Sequence, residues 1–63
     1  MNKEFLKIRE TMKYLNIGHP KLVQMIEDGL PVYVLDDRTK YISIYDIRAY
    51  MQKFKVVSNG QGQ

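Results

Sequence analysis

The stretch "HPKLVQMIEDGLP", residues 19–31, is a helix with both of its ends written into it. Proline is tolerated in the first turn, where its missing N–H would have had no helical partner, so Pro20 marks a start. Gly18 or His19 is then the N-cap, and glycine is the better of the two. At the other end Gly29 supplies the left-handed residue that closes many helices, Leu30 its hydrophobic contact, and Pro31 forbids continuation. Between the ends, Leu22, Met25 and Ile26 form one apolar stripe. A helix this short does not hold in water alone. It must be packed by what surrounds it.

What precedes it is a second amphipathic helix. In "IRETMKYLNI", Ile8, Met12 and Leu15 fall on one face, while Arg9, Glu10 and Lys13 face water. Phe5 and Leu6 are expected to pack over its start, and Asn16, which tolerates the left-handed conformation, to end it. Only Asn16, Ile17 and Gly18 separate the two helices, a tight helix-turn-helix connection.

Downstream, "VYVL", "DDRT" and "KYIS" read as a β-hairpin with an Asp-Asp polar tip. "SIYDIRAYMQKF" then opens a third helix, with Ser43 as N-cap and Asp46 three residues on in a capping-box-like position. Its apolar stripe is Ile47, Tyr50 or Met51, and Phe54. The expected fold is mainly α with a small β-hairpin: a minimal winged helix-turn-helix ordered helix, turn, helix, two-stranded wing, helix. Its expected core is Leu6, Ile8, Met12, Leu15, Leu22, Ile26, Leu35, Ile42, Ile47 and Met51. Residues 1–55 form this one domain, and the glycine-rich polar end, within residues 56–63, is expected to be a disordered tail.

Size and composition narrow the function. At 63 residues the chain holds one small domain, and such a domain buries only about 60% of its unfolded surface. With no cysteine there is no disulfide framework and no thiolate zinc site. The lone His19 has no carboxylates at ligand spacing, so no metal and no cofactor are expected. No apolar run approaches the roughly 20 residues of a membrane span, and "MNKEFLKIRE" has no signal-peptide pattern. A cytoplasmic protein without membrane association is expected. The pairs Glu27–Asp28 and Asp36–Asp37 have no nucleophile or base beside them and read as solvated charge, so no enzyme activity is expected.

Charge is distributed unevenly. Residues 1–21 hold five bases against two acids, net +3. Residues 22–37 hold four acids and no base, net −4, and residues 38–63 hold five bases against Asp46, net +4. Two basic ends around an acidic middle suit contact with a polyanion at two places.

In order and spacing, "ETMKYLNI", "HPKLVQMI", "DGLPVYVL", "RTKYIS" and "YDIRAYM" resemble the excisionase-type, MerR-like winged helix-turn-helix domains of phage and mobile-element proteins. The resemblance spans roughly residues 5 to 54. It implies that the second helix docks in the DNA major groove and the hairpin wing on the neighbouring backbone. Carried over by position, it places His19, Lys21, Val23 and Gln24 in the groove and Arg38, Thr39 and Lys40 on the wing. Glutamine can pair bidentately with adenine, and lysine can reach guanine or phosphate. The chain departs from the family pattern at Gly18, His19, Pro20 and Lys21, where Ser-Arg-Ser-Thr-like residues are usual. It departs again at Glu27 and Asp28, where bases are common, and at the acidic wing tip.

The function this implies is a small DNA-binding accessory protein of a mobile genetic element. Its expected partner is DNA, a duplex rather than a single strand, together with a larger recombination or replication protein or self-association on DNA. The alternative is a winged-helix protein-interaction subunit bound to a polymerase- or primase-like enzyme of such an element. Lys21 and Gln24 read equally as base contacts or as a solvated helix face. Most of the five tyrosines are expected to be half-buried with bonded hydroxyls, Tyr41 and Tyr45 being the best exceptions for stacking on bases.

Overall fold

The computed structural model describes residues 3–57, as three helices and one small antiparallel sheet. In chain order these are β1 (Phe5–Lys7), α1 (Ile8–Leu15), α2 (His19–Glu27), β2 (Tyr33–Val34), β3 (Lys40–Ser43) and α3 (Ile44–Gln52). The sheet has three strands, not the two of the expected hairpin, in the order β1–β3–β2. Leu6 stands opposite Ile42, and Tyr33 opposite Tyr41. The additional strand is the "FLK" segment that the sequence placed over the start of α1. Pairing to β3 satisfies its backbone groups and puts Leu6 into the core.

Each helix end is set by local chemistry. The backbone N–H of Lys7 donates to Glu10 Oε1 at 2.9 Å, one half of a capping box. Lysine offers no acceptor for the other half. Glu10 is also held by Lys3 at 2.6 Å, and the Lys3 ammonium, with the Lys7 N–H, keeps its carboxyl below the usual range. Asn16 ends α1 at φ 56°, and the Ile17 N–H returns to Met12 C=O at 3.0 Å. Gly18, not His19, is the N-cap of α2, with Pro20 in the first turn. Past α2, Gly29 sits at φ 121°. Its N–H donates to Ile26 C=O at 3.1 Å and the Leu30 N–H to Met25 C=O at 3.0 Å. Those are the two bonds of a Schellman closure, and Leu30 and Met25 enter the same core. Ser43 caps α3 by accepting from the Tyr45 N–H at 3.2 Å.

The buried core is Leu6, Leu22, Met25, Leu30, Ile42 and Ile47, with Ile8, Met12, Leu15 and Ile26 packed around it, partly exposed. Two expected members are outside. Leu35 is 65% exposed because it lies past the last strand pair, on the hairpin arm. Met51 is 41% exposed because Ile47 and Tyr50 form the inner stripe of α3. In their place Thr11 is fully buried, its hydroxyl donating to Lys7 C=O one turn back. Of the expected tail, Val56 and Val57 are exposed, and residues 58–63 lie outside the described residues. Among the described residues no helix is long and apolar enough to cross a membrane.

Candidate nucleic-acid interface

The hairpin tip is built by an acid that the sequence read as solvated. Asp36 Oδ1 accepts the N–H groups of Arg38 at 2.9 Å and Thr39 at 2.8 Å, and the Leu35 N–H donates to Thr39 C=O at 2.9 Å. An aspartate that bonds the backbone two and three residues on folds a turn without glycine. The Arg38 N–H is the main cause that holds the Asp36 carboxyl below its ordinary range. This turn presents Arg38, Thr39 and Lys40 together, in one cleft with Lys7, Arg9 and Tyr41. Glu10 and Asp37 also line it. The sequence missed Lys7 and Arg9, because only the pairing of β1 with β3, Lys7 opposite Tyr41, brings them beside the hairpin.

The four candidates on α2 do not form one face. His19 and Val23, one turn apart, line a cleft between α2 and the hairpin together with Val34 and Lys40, and Glu27 stands at the same cleft. Lys21 and Gln24 turn the other way, into a groove whose far wall is Tyr50 and Met51 of α3 and Phe54 just past its end. At 100° per residue positions 19 and 23 lie about 40° apart, while 19 and 21 lie about 200° apart. His19, Lys21 and Gln24 are exposed and Val23 is half-buried. Lys40 is the junction, lining the clefts on both sides of the hairpin.

Asp28 is likewise not a free carboxylate. It accepts the Tyr50 hydroxyl at 2.8 Å and pairs with Lys53 at 2.8 Å. The Lys53 ammonium lies 4.5 Å from the Tyr50 ring centre and 5.3 Å from that of Phe54. Lys53 first, then Tyr50, lowers the Asp28 carboxyl below its usual range. Loss of water around the half-buried Tyr50, and then Asp28, pushes its hydroxyl above the usual tyrosine value. Tyr50 is thus the tyrosine that is packed and bonded as expected. Tyr14, Tyr33 and Tyr45 are instead 51%, 48% and 64% exposed, because each projects away from the single small core.

Among the described residues no three of His, Asp and Glu gather where a metal ion could be held. What the arrangement offers is a hairpin with a cleft on each side, the one shared with Lys7 and Arg9 carrying the excess of bases. No protein-family model matches the chain, and neither a curated protein nor a solved structure matches it.

Proposed function

We propose that the chain is a small non-catalytic DNA-binding accessory protein of a mobile genetic element, built as a minimal winged helix-turn-helix of the excisionase or regulator type. The observation that carries this reading is the cleft shared by α2 and the hairpin, where His19 and Val23 meet Lys40. A helix about 10–12 Å across enters a major groove about 12 Å wide. With α2 docked there, the hairpin lies against the adjacent backbone, and Arg38 and Lys40 neutralise phosphate. His19 is the exposed polar side chain of α2 on the hairpin side, within reach of base edges or phosphate, while Lys21 and Gln24 lie on the other side of the helix and stay outside this contact. A module this small buries roughly 600–1,000 Å², so working affinity needs several copies or a larger protein partner.

The test is a titration of labelled duplexes across salt concentrations. Arg38→Ala or Lys40→Ala should weaken every sequence alike and lower the slope of log affinity against log salt by about 1. Glu27→Gln removes a carboxylate from the cleft itself and should tighten binding, most at low salt, since charges interact within about 8 Å at physiological ionic strength. Absence of duplex binding by the wild-type protein at about 20 mM salt refutes the reading.

The second reading, a protein-interaction subunit of a replication or recombination enzyme, is favoured by the groove of Leu15, Ile17, Met51 and Phe54. Met51 and Phe54 are 41% and 53% exposed there, adjoining apolar side chains that a partner would cover. Under it, Glu27→Gln leaves duplex binding absent and alters only the complex with the partner.

A further inference from the structure

The sheet has an aromatic outer face. Side chains alternate across a strand, and residues directly opposite in neighbouring strands share a face. Ile42 and Leu6 are opposite each other and buried. Their neighbours therefore face away from the core: Phe5 opposite Ser43, and Tyr41 flanked by Lys7 on one strand and Tyr33 on the other. Phe5 and Tyr33 reach over β3 to each other, ring centres 5.3 Å apart and nearly perpendicular. Both stay open to water, 42% and 48% exposed.

This face continues into a basic cleft. Tyr41 is common to both, and the cleft adds Arg9, Arg38 and Lys40 to Lys7. Of the two acids there, Glu10 is already bound by Lys3, which leaves Asp37 against four bases. An occupant complementary to the whole surface is anionic along one side and flat and apolar along the other. Duplex DNA offers the charge but hides its base faces in the stack. A single strand offers both, and aromatic rings with flanking bases are how such strands are held without sequence preference.

We propose that the outer sheet face and its basic cleft bind a single nucleic-acid strand, with unpaired bases against Tyr33, Phe5 and Tyr41 and phosphates against Lys7 and Arg9. This goes beyond the duplex reading: it shares Arg38 and Lys40 with it and uses nothing from α2.

The deciding probe is a labelled thymidine strand of about 12 nucleotides, compared with an abasic strand of equal length and charge. The wild-type protein should prefer the thymidine strand by about tenfold or more, a preference that charge alone cannot produce. Its tyrosine emission, uncontaminated because the chain has no tryptophan, should fall on binding. Tyr33→Ala should erase most of the preference. Lys7→Gln and Arg9→Gln should weaken both strands equally and each lower the salt slope by about 0.7. Gln24→Ala should change neither. If Tyr33→Ala does not fold, the wild-type comparison of thymidine with abasic strand decides alone. Equal affinity for the two strands, or no strand binding at about 20 mM salt, overturns the inference. Either result leaves the duplex reading standing, because that reading is judged on duplex probes and α2. The second result would assign the aromatic face to a protein partner.

Discussion

Gly29→Ala tests the fold at the point where backbone geometry and packing can be separated. A Cβ built at Gly29 meets no atom within 4 Å, so the added methyl group collides with nothing. The cost comes from the backbone alone. At φ 121° an L-residue is strained, and relief would require turning the chain and breaking the Leu30-to-Met25 and Gly29-to-Ile26 bonds. A single residue forced into left-handed conformation costs about 1–2 kcal/mol. A chain of 63 residues has on the order of 3–9 kcal/mol of total stability. In a domain this small each kcal/mol moves Tm by about 4–8 °C, so the expected drop is roughly 4–16 °C.

The control is Gly18→Ala. Gly18 is extended at φ −85°, and its Cβ would lie 3.7 Å from Pro20 Cδ, an ordinary contact. Alanine is a poorer N-cap than glycine, but it restricts the unfolded chain, and the two effects offset to within about 0.5 kcal/mol. Thermal melts followed by far-UV circular dichroism compare both variants with the wild type. A Gly29→Ala melt within about 1 °C of wild type, or a larger loss at Gly18, would refute the left-handed closure of α2.

Three further outcomes are expected. Leu6→Ala should cost about 2–5 kcal/mol, a large share of the total stability, and lower the chemical-denaturation midpoint accordingly; full tolerance would mean that β1 is not paired in solution. Thr11→Val keeps the buried shape but loses the bond to Lys7 C=O and should lower Tm by roughly 4–8 °C, about 1 kcal/mol. Asp28 has its carboxyl depressed below 3.8, so its contact stabilises the fold above that pH and is lost as pH falls through the lower folded-state value. Asp28→Asn should therefore destabilise near pH 7 and by progressively less as pH falls below 3.8, and a loss of equal size throughout would contradict the pairing with Lys53 and Tyr50. On the alkaline side the sign reverses. The Tyr50 hydroxyl is raised above 10.0, so its contribution should hold below that pH and fade as pH climbs through the folded-state value.

The helix ends were legible in the sequence because a few neighbouring residues settle each of them. Asn16, Pro20, Gly29 with Pro31, and Ser43 act through φ, a missing donor or one side-chain bond, and each stands where it was expected. Strand β1 was hidden because three residues carry too little alternation to be read, and its partner β3 comes only after two helices and the first arm of the hairpin. Thr11 was hidden because a hydroxyl that bonds back to the preceding turn can be buried like a methyl group. Of the candidate site, the grouping of Arg38, Thr39 and Lys40 at the hairpin turn was legible from type and position. The separation of His19 and Val23 from Lys21 and Gln24 follows from helical periodicity and could have been read in advance. Lys7 and Arg9 could not, since they depend on the hidden strand.

Folding redistributes the charge pattern read along the chain. Counted along the chain, residues 22–37 are a uniform block of four acids that a polyanion should avoid. Folded, two of those acids have other work: Asp28 holds Lys53 and Tyr50, and Asp36 holds the hairpin turn. Each is fixed where it satisfies neighbouring donors, so its field is partly cancelled within a few ångströms. Of that block Glu27 and Asp37 remain facing the two clefts beside the hairpin, one in each, and Glu10, paired with Lys3, joins Asp37 in its cleft. Against them stand Lys40 in both clefts and Lys7, Arg9 and Arg38 in one. The surface that a phosphate meets is therefore most positive on the side of the hairpin away from α2. Screening over about 8 Å keeps that asymmetry local. In the proposed reading, a strand drawn in by charge would be held most strongly on the β1 side, and contact on the α2 side would have to be supplied by shape and by the side chains of α2 itself.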